Sequence, residues 1–115
     1  MYCKIQVGNN LISKKCKICK TFLSKLTGLM FRKLKDDEAL LFEFKKEKKL
    51  SIHMLFVFYS IKAIWIDENL KIVDIKKAIP FNPYISSNKK AKYLLETKDS
   101  KNIKIEDKIT LINKV

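Results

Sequence analysis

SIHMLFVFYSIKAIWIDENLKIVDI, residues 51–75, is the stretch on which the fold turns. Residues 51–58 are apolar at alternate and intervening positions alike, the pattern of a central strand covered on both faces. Residues 62–66 (KAIWI) and 70–75 (LKIVDI) flank Asp67-Glu68-Asn69. Asn69 tolerates the left-handed backbone of a tight turn, so the pair reads as a β-hairpin. The longest run without a formal charge extends from Leu50 to Ile61, between Lys49 and Lys62. A membrane span needs about 20 apolar residues, so this run predicts buried strand and no membrane contact.

Period two continues on either side. Residues 2–7 (YCKIQV) alternate, Gly8-Asn9-Asn10 marks a turn, and 11–19 (LISKKCKIC) resume a strand pattern. Thr21 offers an N-cap to one short helix near residues 21–30, with Phe22, Leu23, Leu26, Leu29 and Met30 on one face and Gly28 near its end. Residues 40–44 (LLFEF) read as a strand and KKEKK at 45–49 as a solvated turn. Pro80 and Pro83 punctuate a loop through Ser87, and 92–96 and 108–112 supply two more short strands. The expectation is a mainly β chain: a single domain over residues 1–115, a β-sandwich or barrel of about eight short strands with one short helix.

Composition bounds the function classes. The chain has 115 residues, 47% of them hydrophobic, and a formal net charge of +13. That is too apolar for a disordered polycation and long enough to bury a core without disulfide or metal staples. All but one of the 25 basic residues are lysine, alongside heavy use of isoleucine and asparagine. The charge then reads as solvated lysine faces, with non-specific attraction to polyanions as its one direct consequence. Sequence-specific nucleic-acid readers lean on arginine, which is nearly absent. The N-terminal MYCKIQVGNN lacks the continuous apolar core of a signal peptide, and three cysteines are an odd number. Reduced thiols in a cytoplasm are expected.

Few residues point to chemistry. Cys16 and Cys19 have the spacing of half a zinc ribbon, but a structural site wants four ligands, and only Cys3 and His53 remain to complete it. Small buried or surface thiols are the simpler reading, and neither metal nor cofactor is expected. His53 sits between Ile52 and Met54 and reads first as a hydrogen-bonded core histidine. No elbow motif, P-loop or dinucleotide fingerprint accompanies it. The aromatics at 42, 44, 56, 58 and 65 keep strand parity, which core packing explains. Arg32, the solitary arginine, follows Gly28-Leu29-Met30-Phe31. It suits a site needing a planar bidentate donor, or a structural clamp on Glu43 or Glu96.

Taken together, GLMFR at 28–32, ALLFEF at 39–44, SIHMLFVFYSIKAIWID at 51–67, the Pro80 loop, YLLE at 93–96 and the closing KIEDKI resemble the domain of unknown function 192 family, also known as uncharacterised protein family 0127. The resemblance spans about residues 20–112. It implies a small β-sandwich, often cytoplasmic in archaea, and gives no activity. The positions matching its pattern are Gly28, Met30, Arg32, His53, Met54, Asp67, Pro80 and Glu96. Bacterial members tend to carry Trp-Met-Lys-Asn where this chain has His53-Met54-Leu55-Phe56. The leading functional expectation is a non-enzymatic binding or accessory domain, monomeric, whose ligand or protein partner meets Arg32, His53 and Glu96. The alternatives are a small-molecule hydrolase with His53 as general base, and a non-specific nucleic-acid binder acting through lysine faces.

Overall fold

A computed structural model describes residues 2–8, 10–19, 38–52, 59–81, 85–98 and 103–113. The strands are β1 (Tyr2–Val7), β2 (Asn10–Cys19), β3 (Glu38–Ile52), β4 (Ile61–Ile66), β5 (Ile72–Ala78), β6 (Ile85–Lys98) and β7 (Ile109–Asn113). They form one sheet in the order β5-β4-β6-β3-β2-β1-β7. The mainly β expectation holds, with seven strands among the described residues. The helix expected near 21–30 lies outside them. Pairing is antiparallel except between β2 and β3, which run parallel with Cys16 opposite Ala39 and Ile18 opposite Leu41.

The expected hairpin is β4–β5, with Ile61 opposite Ala78 and Trp65 opposite Asp74. Its turn is built by Asp67, whose Oδ1 accepts from the amides of Asn69 and Lys71, each at 2.9 Å. Leu70, rather than Asn69, takes the left-handed conformation, with φ of 64°. That turn is also where the sheet closes. The Ile72 amide donates to the Asp107 carbonyl and the Glu106 amide to that of Ile72, both at 2.8 Å, and the Ile109 amide reaches the Leu70 carbonyl at 2.9 Å. A bridge between Lys71 and Lys108 lies among them. The two outermost strands, β5 and β7, therefore meet, and the sheet curls into a barrel.

Alternation sorts the apolar residues into two cores. Cys3, Ile5, Ile12, Cys16, Leu41, Ile64, Ile66, Leu95 and Ile109 share the interior of the barrel. Leu40, Phe42, Ile61, Ala63, Trp65 and Leu94 line the outer face of the sheet. The outer face is covered because β3 and β6 continue past the sheet as a two-stranded ribbon that brings Leu50, Ile85 and Ala91 onto it. Residues 45–49, read from sequence as a turn, are part of β3. Between the pairs Glu43–Tyr93 and Lys48–Ala91 the β3 side is longer, and between Lys49–Lys90 and Ser51–Ser86 the β6 side is longer. These two bulges bend the ribbon back. Side-chain bonds hold it down, among them Trp65 Nε1 donating to the Leu50 carbonyl at 2.9 Å, Ser87 Oγ to Asp74 Oδ2 at 2.6 Å, Lys76 Nζ to the Ser86 carbonyl at 2.5 Å, and the Glu68 amide to Glu47 Oε2 at 2.9 Å.

Candidate functional site

Of the residues singled out from sequence, Glu96 stands in the most unusual environment. It lies on β6, which is hydrogen-bonded on both sides, so its direct neighbours are Leu40 on β3 and Ala63 on β4. Both are buried outer-face residues, and Glu96 itself keeps only 6% of its surface exposed. Burial pushes its carboxyl up from 4.5 to about 8. The same row of the sheet continues to Lys76 opposite Ala63 and Lys17 opposite Leu40. Two strand spacings, about 9–10 Å, separate each from the β6 backbone. Lys98, two residues along β6, shares the face by alternation. At neutral pH the Glu96 carboxyl is therefore mainly protonated, a buried group able to donate a hydrogen bond.

Arg32 and His53, expected beside Glu96, lie outside the described residues, as do Gly28, Met30 and Met54. Asp67 is a turn-builder rather than an open carboxylate. Pro80 is half-buried in the turn after β5, next to Phe81 with φ of 64°.

Strand pairing sets the place of two of the three cysteines. Cys3 and Cys16 are directly opposed on β1 and β2, and both are fully buried in the barrel. A hydrogen bond from Cys16 lowers the Cys3 thiol below its ordinary range, against the opposing effect of burial. Cys16 thus faces a thiol across the strand pair, a neighbour that no spacing within 16–19 reveals.

An open cleft of about 590 Å³ also escaped sequence reasoning; it is lined by Asp67, Lys71, Asp74, Lys76, Lys89 and Glu106 among others. Its carboxylates are already engaged. Asp74 accepts from Ser87 and from the Ile75 amide, Asp67 holds the turn, and Glu106 pairs with Lys71 at 3.4 Å. With three lysines against three carboxylates, the cleft has no dominant sign and selects no ligand charge.

Residues 4–111 match the family described as uncharacterized ACR, COG1430, or DUF192. A UPF0127 protein of Thermococcus sibiricus is 39% identical over 83 residues, 70% of this chain and 53% of its own length. One from Thermococcus kodakarensis is 37% identical over 84 residues, 71% of this chain and 52% of its length. This chain spans about half the length of those two relatives. A UPF0127 protein of Pyrococcus horikoshii is 34% identical over 82 residues, 70% of this chain and 69% of its own. Among solved structures, a protein of unknown function from Novosphingobium aromaticivorans superposes with a TM-score of 0.84 at 18% identity, over 96% of this chain and 84% of that one. A solved structure from Sinorhizobium meliloti, described as that of a putative transcription regulator, gives 0.84 at 17%, over 96% and 94%. At such identities the likeness speaks for the fold alone.

Proposed function

The chain belongs to the DUF192 family of uncharacterised proteins, and from that premise we propose that it is a non-enzymatic, cytoplasmic binding domain. Its ligand is a small anion or an anionic group on a partner, held by Glu96 together with Arg32 and His53. The observation that carries this reading is the burial of the Glu96 side chain between Leu40 and Ala63, which pushes its carboxyl up to about 8. A carboxylate kept charged would repel an anion. One kept protonated donates a hydrogen bond to it, and a guanidinium adds a bidentate pair. Such a set supplies hydrogen bonds and charge to an anion, which is the work of a binding site; a His53 acting as general base is the alternative.

A thermal-shift screen of anionic small molecules near neutral pH tests it, because a ligand that binds only the folded state raises apparent stability by about 2.7 kcal/mol at a hundred times its dissociation constant. A hit on the wild type should be lost or reduced at least about tenfold in affinity in both Arg32→Lys and Glu96→Met, each change losing a hydrogen bond to a charged group. Far-UV circular dichroism should show both variants folded. If either variant loses several kcal/mol with no ligand present, the residues form a structural clamp. If the shift survives both changes, the ligand sits elsewhere.

A further inference from the structure

Two lysine-rich runs that are distant in the chain, 45–49 and 89–92, converge on the β3–β6 ribbon. Lys49 pairs directly with Lys90, and Lys48 with Ala91. Leu50 and Ala91 are buried against the sheet, so strand alternation sends Lys49 and Lys90 out together from the ribbon's other face. Lys45, Lys46 and Lys48 are exposed around them. Like charges placed directly opposite one another weaken an antiparallel pair. The single carboxylate within 45–52 and 85–92, Glu47, is turned away: its Oε2 accepts from the Glu68 amide at 2.9 Å. The ribbon thus carries a concentrated positive charge with no acidic side chain of its own directed to offset it.

We propose that this ribbon is a docking surface for the phosphate backbone of double-stranded nucleic acid, bound without sequence preference. The surface is independent of Glu96 and extends the function beyond anion binding there. A two-stranded ribbon fits the major groove, about 12 Å wide. Lysine supplies point-charge contacts to phosphate and not the bidentate fork that reads guanine. Stacking on unpaired bases is disfavoured, because the neighbouring rings are capped from within: Lys48 Nζ lies 5.0 Å from the Phe44 ring centre and Lys92 Nζ 5.5 Å from that of Tyr93. An anionic membrane is the other polyanion available. Surface-binding segments insert apolar side chains, yet the exposed large apolar residues among those described are Leu11, Ile79, Phe81, Ile105 and Ile112, none of them on the ribbon.

The test is fluorescence anisotropy of a short labelled DNA duplex of random sequence, titrated at several salt concentrations. Lys49→Glu/Lys90→Glu is compared with Lys104→Glu/Lys108→Glu, an exposed pair carrying the same change of charge off the ribbon. Wild-type affinity should fall steeply between roughly 50 and 200 mM salt, with a log–log slope set by the phosphates contacted. The ribbon variant should lose about tenfold or more and flatten the slope by about one per contact removed, while the control stays within about threefold. Unchanged circular dichroism and melting temperature confirm that the ribbon variant is folded. Equal losses in the two variants overturn the proposal in favour of bulk charge, as does absence of duplex binding at the lowest salt. Ribbon-dependent binding to phosphatidylglycerol vesicles without binding to the duplex overturns it in favour of a membrane surface.

Discussion

At the scale of the residue, Glu96 makes stability depend on pH in an unusual direction. Its folded-state value of about 8 lies above the ordinary 4.5, so the folded chain binds a proton more firmly than the unfolded one. Stability contributed by the protonated carboxyl is complete below about 4.5 and declines as pH rises towards 8. Each unit in that interval removes at most about 1.4 kcal/mol. Glu96→Gln, neutral at every pH, should be more stable than the wild type at pH 8 and should flatten the decline, as measured by urea midpoints between pH 5 and 8. Lys98 on the same strand and Lys76 and Lys17 along the row are the cations whose influence such a titration includes. The sequence marks Glu96 only as the polar end of a Leu-Leu-Glu strand. Its depth is not legible there, because it arises from Leu40 and Ala63, which are remote in the chain and adjacent only after three strands align.

At the scale of the element, the ribbon shows where reading by alternation works and where it fails. The β4–β5 hairpin was legible from Asp67-Glu68-Asn69 and its apolar flanks, since local turn chemistry and strand period agree there. KKEKK misleads because β3 leaves the sheet at that point: both faces meet solvent, the bulge interrupts the alternation, and five charged residues imitate a loop. The strand resumes its signal at Leu50, the residue through which the ribbon is tied to the sheet. Trp65→Phe should test that tie. It leaves the buried Leu50 carbonyl without its indole donor and opens a cavity at a fully buried position. The expected loss is about 2–4 kcal/mol in a denaturant titration, with the slope unchanged.

At the scale of the whole molecule, closure is the property that no local pattern contains. The sandwich-or-barrel expectation captured two layers of apolar packing, and the structure accounts for both: a barrel interior and an outer core under the ribbon. The parallel pairing of β2 with β3 and the seating of β7 between β1 and the β4–β5 turn depend on contacts across most of the chain. Such long-range pairing predicts folding on a millisecond-to-second scale, slower than a helical chain of equal length, and stopped-flow tryptophan fluorescence of Trp65 should report it. The order of the strands also has a consequence during translation. Of the seven described strands, β1 is made first and receives one partner almost at once in β2, but its other edge waits for β7, the last of the seven. For the whole interval of synthesis between them, the nascent chain presents an open strand edge beside an incomplete barrel. Such an edge invites pairing with other chains, so what the finished barrel shields is a hazard specific to the ribosome-bound protein.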